Sequence, residues 1–203
     1  FVKELQKRIE NEIHIPKGYE IIYGGQYENL ERASNRLLII VPLTILAIIV
    51  MLFILYKRFS DVAITLTCIL FAIPGGILAL LLRGMYFNIS AGVGFVSLSG
   101  IAVMTGILII NGIHLNLKKN EPLYDAVLHS STEQFKVRLM VILLAMLGLV
   151  PAALSSGIGS DVQRPLATVI IGGLTTTLLF APLLIPLLYW WVNKNENNGK
   201  KTE

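Results

Sequence analysis

Five apolar stretches, none containing an Asp, Glu, Lys or Arg, occupy most of the chain beyond its first 36 residues. They run Leu37–Tyr56, Val62–Leu82, Ile89–Ile110, Leu139–Leu154 and Leu166–Val192. All but the fourth are long enough to cross a hydrocarbon core of about 30 Å as helices. A water-soluble domain of this size has no use for so much unbroken apolar surface. The pattern predicts an α-helical integral membrane protein with five transmembrane helices at 37–56, 62–82, 89–115, 139–154 and 166–192. Charged residues are 15% of the chain, against roughly 25% in soluble domains. The net charge of +4 sits largely at the edges of the spans, so it speaks to membrane topology and not to nucleic acid.

Residues 1–36 are polar. Val2, Leu5, Ile9 and Ile13 recur at helical spacing, and Pro16-Lys17-Gly18 ends that pattern. Tyr19–Tyr23, stopped by Gly24-Gly25, suits a strand. One helix and one strand cannot bury a core, so this segment reads as a small α+β remnant of a larger domain. A further helix is predicted to start near Glu28 and run through Leu37 into the membrane. The chain opens at Phe1 without a signal peptide, which suggests the C-terminal piece of a longer protein.

Basic residues give the orientation. Lys57, Arg58, Lys118, Lys119, Lys136, Arg138, Lys194, Lys200 and Lys201 flank one side of the predicted bundle; Arg83 and Arg164 flank the other. The richer side is expected to be cytoplasmic. That places the connector 116–138 and the tail 193–203 inside and the N-terminal segment outside. Tyr189, Trp190 and Trp191 then fall at the cytoplasmic interface, as an aromatic belt would. Pro122, followed by Leu123, Ala126 and Val127, suggests a short helix within the connector.

Ionisable groups inside a bilayer are costly and usually mark an ion or proton path. Between Leu37 and Val192 the acids are Asp61, Glu121, Asp125, Glu133 and Asp161, all read here as connector residues. A proton-binding carboxylate is therefore expected outside this chain. The third span is the least lipid-like. Ser90, Ser97, Met104 and Asn111 recur every seven residues and share a face, bordered by Thr105. Small residues at Ser90/Gly94 and Ala102/Gly106 allow close helix approach. This face either packs against a neighbour or lines a coupling path. His14, His114 and His129 are too scattered to form a metal site, and Cys68 is the only cysteine. Nothing in the pattern suggests an enzyme or a bound cofactor.

Several motifs resemble the resistance–nodulation–division efflux transporters, most closely their heavy-metal branch. They are Tyr23-Gly24-Gly25-Gln26-Tyr27-Glu28 ahead of the first span, Gly75–Leu80 followed by Leu82-Arg83-Gly84, Ala91–Phe95 leading to Gly100–Val103, and Gly157–Thr168 followed by Gly172-Gly173. The run Val162–Ala167 is similar to the metal branch in particular. The resemblance implies a homotrimeric, multi-pass inner-membrane antiporter. Such pumps exchange protons for metal cations and work with a periplasmic adaptor and an outer-membrane channel. The five spans would be the eighth to twelfth of twelve, with residues 1–36 closing the second periplasmic loop. Met104 aligns with a glutamate of the copper/silver pumps, Thr105 with an asparagine of the cobalt–zinc–cadmium pumps, and Arg138 with a lysine of the copper/silver pumps. Ser97, Met104, Thr105, Asn111 and Arg138 are thus the transport-path candidates, and no metal ligand is expected in this chain. A multidrug or amphiphile exporter, a non-transporting membrane assembly protein and an inactive truncated product remain alternatives.

Overall fold

Each charge-free stretch proves to be part of a longer helix. The computed structural model describes the backbone of residues 26–157 and 159–199, and the side chains of 35–157 and 159–194. Five helices follow one another: α1 (Gln26–Tyr56), α2 (Phe59–Leu82), α3 (Ile89–Lys118), α4 (Leu123–Leu154) and α5 (Ser160–Gly199). All five are long and apolar enough to span a bilayer. No strand occurs among the described residues, so the α+β part of the expected fold gains no support. The predicted helix from Val2 to Ile13 and the strand Tyr19–Tyr23 lie outside those residues. The chain divides into two units, 1–35 and 36–203, and α1 runs from the first into the second.

The turns explain the up-and-down order. Lys57 takes a left-handed backbone conformation (φ 55°), which lets α1 and α2 meet with almost no loop. Asn120 does the same (φ 63°) between α3 and α4, and asparagine tolerates that region better than most residues. Asn88 opens α3 by accepting a hydrogen bond from the Ala91 amide at 2.8 Å. The ends of α1, α3 and α5 and the starts of α2 and α4 therefore gather at one end of the bundle.

One expectation needs correction here. The connector 116–138 is not a loop with a short separate helix: α3 continues to Lys118, and α4 runs unbroken from Leu123 through the apolar stretch to Leu154. The short fourth span is thus the second half of a 32-residue helix. Residues 193–199, within the expected tail 193–203, continue α5.

Helix α5 is central, packing against α2, α3 and α4. It can do so because glycines remove side chains at its crossing with α2. A Cβ on Gly75 would sit 2.6 Å from the Gly172 carbonyl oxygen, and one on Gly172 would sit 2.6 Å from that of Gly75. Close backbone approach replaces the hydrophobic driving force that is missing between helices in lipid. Gly94 meets Leu166, and Gly106 meets Thr65 and Cys68, by the same device. At the end of the bundle away from Lys57, Arg83 donates to Thr168 Oγ1 (2.7 Å) and to the Ala153 carbonyl (2.8 Å), tying α2 to α5 and α4. By contrast α1 is nearly bare. Only Leu52 and Tyr56 are buried along its membrane stretch, and Leu37 reaches Gly92.

Candidate functional site

Helices α3 and α4 leave an open, mainly apolar groove between them, walled by Met104, Thr105 and Leu108 on one side and Arg138, Val141 and Ala145 on the other. Arg138 lies near the middle of α4, roughly 22 Å from its start at the helical rise per residue. It stands inside the bundle and not at an end of α4. Only 2% of it is exposed. Its Nε donates to the Gln134 carbonyl (3.2 Å) and its Nη2 to that of Ser131 (3.3 Å), both on its own helix. Nη1 has no partner among the described residues. A guanidinium held this way is costly unless an anion joins it, because a buried charge needs pairing and all its hydrogen bonds.

The sequence candidates divide accordingly. Met104, Thr105 and Arg138 come together at the groove; Ser97 and Asn111 do not line it. Ser97 is exposed, Met104 is 54% exposed and Asn111 is half-buried, so the seven-residue face points out of the five-helix bundle instead of into it. Asn111 makes no interhelical amide bond among the described residues. Thr105 is buried, but its hydroxyl donates to the Ile101 carbonyl (3.2 Å) within α3.

A second constellation escaped the sequence reading. Asp61 is not in a connector: it sits in the first turn of α2 and is 0% exposed. The Nε2 of His114, on α3, lies 3.2 Å from its Oδ2. Neither carboxylate oxygen has an aligned hydrogen bond. The imidazole is held edge-on between two rings, Tyr56 of α1 and Tyr189 of α5, each with its centroid 5.9 Å away. The Tyr56 hydroxyl is buried beside Thr65 and Asp61, without an aligned partner of its own. Tyr189, expected at an aromatic belt, is instead buried in the bundle. Trp191 is exposed, and Lys194 lies over the Trp190 ring at 4.6 Å. The signal that was present is the spacing of Asp61, Thr65 and Cys68, which stacks them on one buried face of α2.

Among the described residues, no three His, Cys, Asp or Glu side chains gather as a metal site would require.

Comparison with known proteins agrees with this architecture. The profile of the AcrB/AcrD/AcrF family matches residues 1–193. The chain is 45% identical over 201 residues to protein HelA of Legionella pneumophila, covering 98% of this chain and 19% of that protein. It is 37% identical over 202 residues to the cobalt-zinc-cadmium resistance protein CzcA of Cupriavidus metallidurans, covering 100% of this chain and 19% of CzcA. Identity to the cation efflux system protein CusA of Escherichia coli K12 is 28% over 207 residues, covering 96% of this chain and 20% of CusA. The crystal structure of a heavy metal efflux pump superposes with a TM-score of 0.79 at 39% identity, covering 95% of this chain and 19% of the pump. The chain thus spans about a fifth of the length of the curated relatives it matches.

Proposed function

Since the chain belongs to the AcrB/AcrD/AcrF family, among its heavy-metal efflux members, we propose that it supplies the C-terminal membrane helices of a proton-driven pump that exports metal cations. The observation that carries this reading is Arg138. A buried guanidinium with an unpartnered Nη1, walling a groove on an open face, calls for an anionic partner from helices outside these five. In a proton-driven pump that partner is the titrating carboxylate. Its protonation weakens the attraction to Arg138 and so biases one packing of the helices over another. The pump is not an enzyme and carries no cofactor. It sits in the inner membrane of a bacterium, with the basic ends of the helices in the cytoplasm, works as a homotrimer, and delivers its cargo through a periplasmic adaptor and an outer-membrane channel.

Identity to CzcA and to the nickel and cobalt resistance protein CnrA of the same organism, 40% for the latter, exceeds that to CusA. Met104 is also apolar where the copper/silver pumps resemble one another in carrying a glutamate. Both favour divalent cations as cargo. Expressed as a full-length pump in a strain lacking its own exporters, it is expected to raise resistance to zinc, cobalt, nickel or cadmium and to leave dye sensitivity unchanged. Resistance to dyes without resistance to any metal would instead establish the amphiphile exporter.

A further inference from the structure

We propose that the Asp61–His114 pair is a proton-exchange site of the transport cycle, additional to the carboxylate that Arg138 awaits; this rests on the proton-driven reading above. Four helices meet at the pair. Asp61 comes from α2, His114 from α3, and the rings of Tyr56 and Tyr189 from α1 and α5. The ionisable groups beside the carboxylate are His114 of α3 and Tyr56 of α1, with Arg58 three residues away at the α2 N-cap.

A purely structural ion pair buried this deeply would satisfy the oxygens of its carboxylate with several donors. Here both are left without an aligned donor, and the group opposite is an imidazole, the side chain whose charge changes most readily near neutral pH. A lysine or arginine would hold its proton throughout. The access is graded as well: Asp61 is sealed, whereas the His114 side chain is 29% exposed. The pair therefore opens to its surroundings through the imidazole and not through the carboxylate.

Loaded, the pair is an imidazolium facing a carboxylate, with no net charge. Giving one proton to water as hydronium leaves neutral His114 and a sealed, uncompensated carboxylate. That state is strongly disfavoured in this packing and favours one in which Asp61 reaches water or takes up the next proton. The change falls where α1, α2, α3 and α5 converge, so it is felt by helices on both sides of the central α5.

His114→Arg in the full-length pump is the discriminating variant, because it keeps a cation opposite Asp61 but never releases its proton. Proton-driven zinc flux in proteoliposomes is expected to fall about 100-fold, the loss typical of removing a proton-transferring side chain, and its pH dependence to flatten, with assembly and zinc binding retained. His114→Arg pumping at the wild-type rate with the wild-type pH profile would overturn the proposal. Should that variant fail to assemble, infrared difference spectra decide. The wild-type pump is expected to gain imidazolium ring bands on acidification that His114→Gln lacks, and a spectrum unchanged by that substitution would overturn it. A wild-type pump with no proton-driven flux at all would defeat the transport reading, whereas loss of flux confined to His114→Arg bears on this site alone.

Discussion

Gly75→Val is expected to prevent the membrane bundle from closing. A side chain there meets the Thr176 hydroxyl and the Gly172 carbonyl, the latter 2.6 Å from the first added carbon. The obstacle is backbone on a central helix, so it cannot swing aside as a flexible side chain would. Overpacking typically costs about 1–3 kcal/mol, and contact against backbone belongs at or beyond the upper end. The full-length pump carrying Gly75→Val should lose its monodisperse peak in detergent and accumulate poorly in the membrane. Gly100→Ala is the control: nothing lies within 4 Å of an added Cβ there, so stability should be unchanged. Equal behaviour of the two variants would mean that the α2–α5 crossing does not set the packing of the bundle.

Arg138→Met should abolish metal export while leaving a folded, inserted protein. Methionine fills much of the same volume and removes a buried charge whose partners among the described residues are two carbonyls of its own helix. The five helices therefore lose little. The full pump loses the group that answers its carboxylate, and its flux is expected to fall about 100-fold or more, as on removing a group that takes part in proton transfer. Arg138→Lys keeps the charge but not the geometry that reaches the Gln134 and Ser131 carbonyls together, so it should retain only part of the flux. The measurement is energy-dependent metal efflux from cells with matched amounts of pump. Wild-type efflux from the Arg138→Met strain would remove the guanidinium from the coupling path.

The membrane helices were legible in the sequence because a bilayer enforces a rule that local composition obeys: Leu37–Tyr56 and Leu166–Val192 admit no charge, and each lies within a single helix. Their ends were not. Leu123–Arg138 is amphipathic and carries acids and bases, so it read as a connector although it continues the fourth span as one helix. That error moved Arg138 from a buried mid-helix position to an apparent edge. The same limit hid Asp61. The charge-free run starts at Val62, but Phe59 and Ser60 already belong to α2, whose first turn accepts an acid readily. The periodicity of Ser97, Met104 and Asn111 was a sound guide to a shared face, yet periodicity does not say whether a face turns inward or outward. What no pattern could supply was the pairing of His114 with Asp61, 53 positions apart, since it exists only once α2 and α3 pack.

We propose that these helices pack beside the titrating acid of a proton-driven metal exporter, an acid carried on other helices. It is tested most directly in inside-out vesicles carrying the full-length pump, by imposing a pH gradient and following metal uptake. The account predicts gradient-dependent uptake of zinc or a similar divalent cation, accompanied by proton outflow, and none from residues 1–203 inserted alone. Uptake indifferent to the gradient, or gradient-driven metal flux through residues 1–203 alone, would contradict it.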